Sequence, residues 1–196
     1  EVTNPLSQEI LCQVPCATME EIDQAVSSAS NAFLTWKETP PPERARLMMA
    51  YQALLKEHQE ELAEILSQEN GKTLAQCVGE FEGAANTFDF YAGLTDKIEH
   101  KIIPSGNDTF NYVVLEPFGV SLLIVPWNYP ISIFSGMVAQ NLIVGNTIVI
   151  NRPIEGQDIL WFNFDVRANA GSSEFQIIGG PDNIAWALFY SNNPSS

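Results

Sequence analysis

The chain has 196 residues, of which 24 are acidic and 9 basic, for a net charge of −15. With 45% hydrophobic and 17% charged residues, it has the composition of a globular protein able to bury one sizeable core or two small lobes. Diffuse acidity without a basic stripe opposes nucleic-acid binding. No apolar run is long enough to insert into a bilayer, and no signal-peptide pattern follows Glu1.

The opening "TNPLSQEILCQVPCA" carries turn signals at Asn4-Pro5 and Ser7-Gln8, then alternating apolar residues, and predicts a short β-hairpin. In "TMEEIDQAVSSASNAFLTW", Thr18 and Glu21 fit a capping box. Ile22, Ala25, Val26, Ala29, Phe33 and Trp36 recur at helical spacing and predict one buried face. "TPPPE" interrupts the chain, and Pro42 suits the first turn of the next helix. That helix carries an apolar stripe through Leu47, Tyr51, Leu54, Leu55, Leu62 and Ile65, with a bend near His58 and a C-cap at Asn70-Gly71. A third helical stretch runs from about Thr73 to Gly93, with Phe81, Ala84, Ala85, Phe88 and Tyr91 facing inward.

Residues 98–118 turn β-branched and alternating around Gly106-Asn107-Asp108, which predicts a hairpin with exposed edges. From Gly119 the pattern becomes strand ("GVSLLIV"), helix ("PISIFSGMVAQNLIVG"), strand ("NTIVI"), then a helix-like "QDILWFNFDVRANAG" and a strand-like "EFQII". Strand and helix in alternation predict an α/β protein with a parallel, Rossmann-like sheet. The expected division falls near residue 118. Residues 1–118 form the helical and hairpin region, and 119–196 a partial cofactor-binding region.

Three cysteines, Cys12, Cys16 and Cys77, form no disulfide ladder and point to a reducing compartment inside the cell. Only two histidines, His58 and His100, are present to complete a metal site with the Cys12/Cys16 pair, and neither is near it in sequence. Packed thiols are the expectation, with no metal.

The stretches "NPLSQEILCQVPCATMEEIDQAV", "AFLTWKETPPPERARLM", "ELAEILSQENGKTLAQCVGE", "YVVLEPFGV", "PWNYP" and "GNTIVI" occur in an order and at gaps that resemble the aldehyde dehydrogenase superfamily, over roughly residues 3–151. "TPPPERA" and "ENGKTLAQ" resemble its semialdehyde branches. The resemblance implies that Asn128 holds the oxyanion-donor position, where a neutral amide on a stiff turn stabilises developing charge at little reorganisation cost. It also implies that Ile124, Pro126 and Trp127 line an NAD or NADP groove at the carboxyl end of a strand.

Departures from the pattern matter as much as the matches. "NRPIEG" replaces the family's Lys-Pro-Ser-Glu run, so the ribose-holding lysine position falls on Asn151 or, with one insertion, on Arg152, and only then does Glu155 serve as the ribose acceptor. Arginine is a planar fork rather than a point charge, and asparagine has neither charge nor reach. Gly180 keeps a trace of the glycine turn in "IIGGPDNIAWALF", and Met137 replaces a common lysine. The family's nucleophilic cysteine and general-base glutamate match nothing in these residues. The expectation is therefore a truncated, diverged relative without the catalytic domain, with a vestigial cofactor site and no bound NAD or NADP. It is expected to be inactive and to act as a structural or assembly subunit, pairing with a protein partner or a second copy through the 98–118 hairpin. The alternative is a portion of an active NAD(P)-dependent semialdehyde dehydrogenase. Family members occupy both the cytoplasm and the mitochondrial matrix, so either location is open.

Overall fold

The computed structural model describes residues 1–14 and 17–152, then four strand segments up to residue 178, with backbone alone from residue 151 onward. Cys16, Glu155, Gly180 and the apolar residues after 180 lie outside the described residues, and so do the side chains of Asn151 and Arg152.

Strands β1 (Val2–Thr3) and β2 (Ile10–Cys12) pair antiparallel, as the opening turn signals predict. Asn4 closes their connection: its Oδ1 accepts from the backbone N–H of Leu6 at 2.9 Å and of Ser7 at 3.1 Å, an Asx turn. Helix α1 (Met19–Trp36) starts on the Thr18–Glu21 capping box, with both reciprocal bonds formed.

The buried face of α1 differs from the expected one. It is Ala25, Ala29, Ala32 and Trp36, whereas Val26 is exposed and Phe33 half-buried. The reason is close approach: Ala25 and Ala29 pack directly on Val149, and Thr147 Oγ1 donates to the Ala29 carbonyl at 2.8 Å. Only alanine leaves room for a helix backbone that near a strand, so size overrides hydrophobicity.

Helices α2 (Pro41–Glu57) and α3 (Gln59–Asn70) are one stripe broken at His58, whose backbone leaves helical geometry at φ −99°, ψ 10°. Gly71, at φ 77°, ends α3 in the left-handed region, where a Cβ is costly. Helix α4 (Leu74–Ala92) follows at once on a second capping box, Thr73 with Gln76, and buries Phe81, Ala84, Ala85 and Phe88. Strands β3 (Lys101–Ile103) and β4 (Asn111–Val113) form an antiparallel ribbon whose six residues are all exposed.

Strand β5 (Val120–Ile124) leads through helix α5 (Pro130–Ile143) to β6 (Thr147–Arg152), and β5 and β6 pair in parallel. This is the strand–crossover–strand unit that a parallel pair requires. Asn146 sets the starting register, its Oδ1 accepting from the Gly119 N–H at 3.0 Å.

After β6 the chain departs from the expected alternation. The helix-like segment forms strand β7 (Leu160–Asp165), antiparallel to β6, followed by the short pair β8 (Ala168–Asn169) and β9 (Ser172–Ser173). Strand β10 (Gln176–Ile178) pairs antiparallel with β7, giving the order β10-β7-β6-β5. Trp161, Phe162 and Phe164 suit a pleated surface, which favours the strand. With a strand there, the link from β6 is shorter than the dozen or so residues a parallel crossover requires, which sets the antiparallel sense.

The α/β architecture is built on one principal core. Trp36, Met48, Phe81, Phe88, Val138 and Ile150 belong to a single buried cluster that joins the helices to the β5–β6 unit.

Candidate functional site

Helix α5 carries the site at its N-terminus and is fastened at both ends by side chains from other helices. At its C-terminal end, the indole Nε1 of Trp36 donates to the Leu142 carbonyl at 3.2 Å. The buried guanidinium of Arg44 donates through Nε to the Ile143 carbonyl at 3.0 Å. A cation and a donor there complement the helix dipole, and the Leu142 carbonyl also accepts from the Gly145 N–H at 3.1 Å. Burial pushes the Arg44 guanidinium down from its ordinary value, yet it remains a cation.

At the other end, no local side chain caps α5: Tyr129 precedes it and Pro130 occupies its first turn. The acceptor comes from α4. Glu80, 5% exposed, takes the N–H of Ile131 at 2.9 Å and of Ser132 at 3.1 Å on its Oε1. Its Oε2 accepts from Lys72 Nζ at 2.6 Å. The same ammonium lies 3.9 Å from the centre of the Tyr129 ring, within cation–π range. One turn away, Asn70 Nδ2 donates to the Trp127 carbonyl at 2.8 Å.

These contacts hold the "PWNYP" turn at the carboxyl end of β5. Ile124 is 53% exposed and Trp127 42% exposed, Pro126 is half-buried, and Asn128 is exposed. Among the described residues, the Asn128 amide has no hydrogen-bond partner, so it is free to donate outward. In register, Ile124 faces Asn151 on β6. The residues expected at the ribose position therefore start from the end of the neighbouring strand, on the same edge as Ile124 and Trp127. The structure thus brings Ile124, Pro126, Trp127 and Asn128 to one edge and places the backbone of Asn151 and Arg152 beside it. Met137, at the common lysine position, packs against the core instead.

Lys72, Glu80 and Asn70 are site residues that the sequence reading missed. One signal did point to them. An α5 that begins without Ser, Thr, Asp or Asn has orphan N–H groups, so an acceptor has to arrive from elsewhere.

Among the described residues, Cys12 and Cys77 are free thiols. Cys77 is fully buried, and burial pushes its thiol above the ordinary value, with Glu80 adding to the rise and Lys72 opposing it. Burial and then Glu69 push Cys12 up too. Neither has the depressed pKa of an activated nucleophile. Among the described residues, no three His, Cys, Asp or Glu side chains converge on a metal-sized site.

A parallel crossover unit with a braced turn at the carboxyl end of its first strand is the α/β arrangement in which open sheets bind ligands. The chain belongs to the aldehyde dehydrogenase family, whose profile matches residues 1–171. It is 35% identical to malonate-semialdehyde dehydrogenase 1 of Geobacillus kaustophilus over 189 residues, covering 94% of this chain and 36% of that protein. An aldehyde dehydrogenase of Alternaria alternata is 34% identical over 152 residues, covering 76% of this chain and 31% of that protein. Betaine aldehyde dehydrogenase of Staphylococcus aureus, solved in complex with NAD+, superposes with a TM-score of 0.74 at 33% identity. That superposition covers 77% of this chain and 31% of the enzyme. The chain thus spans about a third of the length of the relatives it matches.

The family implies NAD or NADP. The residues present fit one wall of such a groove: Ile124 and Trp127 offer an exposed apolar surface at the strand end, where open α/β sheets bind ligands. At the α5 N-terminus the Glu80 carboxylate already holds the N–H groups of Ile131 and Ser132. When bound, the dinucleotide supplies the hydride acceptor for aldehyde oxidation.

Proposed function

We propose that these residues act as a structural or assembly component derived from an aldehyde dehydrogenase, and that by themselves they oxidise no aldehyde. The observation that carries this reading is the β3–β4 ribbon. Ile102, Phe110, Tyr112 and Leu115 are exposed together on an arm with unpaired edges, which invites pairing with a partner or a second copy. Sedimentation velocity at micromolar concentration tests the assembly half. An assembled species supports the reading, and a persistent monomer that captures no second copy removes its basis. No helix among the described residues is long and apolar enough to cross a membrane, and we place the chain in a reducing compartment on the strength of three cysteines without a ladder of spacings.

A second reading is favoured by the braced turn. The chain is then the portion of an active NAD(P)-dependent semialdehyde dehydrogenase that carries the oxyanion donor, with Asn128 in that role. The outward amide supports it, as does the likeness to malonate-semialdehyde dehydrogenases. The mass of the protein in its native cells separates the two: a species near 21.7 kDa favours the first, and one more than twice as heavy favours the second.

A further inference from the structure

We propose that Asn70, Lys72 and Glu80 are positioning residues for Asn128, forming a bracket that fixes the oxyanion turn from the α3–α4 corner. The proposal rests on the reading of Asn128 as the oxyanion donor.

Trp127, Asn128 and Tyr129 are all exposed, so apolar packing holds the turn only weakly. The prolines at 126 and 130 stiffen φ at two points but leave the residues between them unfixed. What fixes them comes from a stretch more than fifty residues earlier. Asn70 holds the carbonyl of the residue before Asn128. Lys72 lies over the ring of the residue after it. Glu80 clamps the first two N–H groups of the helix that follows. The Lys72–Glu80 bond ties two of these tethers into one unit.

Asn128 is thus bracketed on both flanks while its own amide is left unengaged. An amide meant to meet developing charge needs this arrangement, because a donor held in place loses little to reorganisation. The arrangement also has a consequence for ligands. Pro130 has no N–H, Ile131 and Ser132 give theirs to Glu80, and Ile133 gives its own to the Tyr129 carbonyl. The first turn of α5 therefore has no backbone N–H left for a phosphate.

The test follows the turn rather than a reaction, so its outcome is independent of whether Asn128 meets an oxyanion. Tryptophans in the full chain are replaced by 5-fluorotryptophan, and the Trp127 resonance is assigned with Trp127→Phe. Fully buried Trp36 reports on the core. Asn70→Ala and Glu80→Ala are expected to shift and broaden the Trp127 resonance while Trp36 stays in place. Glu80→Gln, which can keep a neutral oxygen facing Ile131 and Ser132 but turns its NH2 toward Lys72, is expected to recover only part of the wild-type signal. If Asn70→Ala leaves Trp127 unmoved, or moves Trp36 equally, the positioning role is overturned. Should Glu80→Ala fail to fold, Asn70→Ala decides alone, since Asn70 lies at the helix end and is only half-buried.

Discussion

Lys72 and Glu80 are each other's counter-charge in a nearly closed environment, with side-chain exposures of 15% and 2%. Burying such a pair gains little over an apolar isostere, but removing one member leaves the other charged and unpaired, at a cost of about 3–5 kcal/mol. Lys72→Met is therefore expected to lower stability by about that amount in urea unfolding. Lys72→Met with Glu80→Gln is expected to lose less than Lys72→Met alone, because the neutral amide still offers an oxygen to the α5 N–H groups. Nearby, Cys77 combines full burial with a thiol pushed above its ordinary value. Both limit the thiolate at neutral pH, and the thiolate is the reacting form. Iodoacetamide labelling mapped by peptide mass is expected to modify Cys77 slowly in the native protein and readily in urea. Rapid native labelling would show that the α4 core opens.

Secondary structure was legible in the sequence wherever the signal was local. Thr18 with Glu21, and Gly71 after Asn70, fixed the ends of α1 and α3, because capping chemistry acts within four residues. The buried face of α1 was only half legible. Periodicity located the face, but the closeness of β6 decided that alanines rather than Val26 line it, and that closeness is a property of the assembled fold. β7 was misread as a helix because a short apolar aromatic run fits both periods, and periodicity alone does not separate them. The site divides the same way. The exposed turn could be read from two prolines around Trp127 and Asn128, whereas the Glu80 clamp joins α4 to α5 across fifty residues and has no spacing that periodicity detects. Gly71 offers a test at this scale. Its φ of 77° is unfavourable for a side chain, and an added Cβ would lie 2.7 Å from Pro5 Cγ. Gly71→Ala is expected to cost at least about 1–2 kcal/mol, read as a lower unfolding midpoint.

For the whole molecule, the apolar surface left outside the core argues for association. Ile102 and Tyr112 face each other in register on the ribbon and are both exposed. Replacing both with Asp places like charges opposite each other and removes the apolar contact. Under the assembly reading, Ile102→Asp/Tyr112→Asp is expected to shift the sedimentation profile to monomer without altering the helical circular dichroism. The double variant should behave like the parent if the ribbon is not an interface.

Cofactor affinity is the other whole-molecule property, because it sums charge, burial and the loss of specific contacts. A dinucleotide brings two phosphate charges to a chain of net charge −15. It finds no free backbone N–H at the α5 N-terminus, where Glu80 is already bound. In the sequence reading the family's ribose lysine falls on Asn151, which pairs with Ile124, or on Arg152 next to it. Losing one charged hydrogen bond costs about 1.5–3 kcal/mol, roughly ten- to a hundredfold in affinity. Ile124 and Trp127 offer an apolar wall, but an exposed wall recovers little of this by burial. The chain on its own is therefore expected to bind neither NAD nor NADP at sub-millimolar concentration in calorimetric titration. Asn151→Lys alone is expected to leave that result unchanged, since it restores one contact of several. Micromolar binding by the parent chain would show that the Ile124–Trp127 wall suffices, and would shift the balance toward the active-dehydrogenase reading.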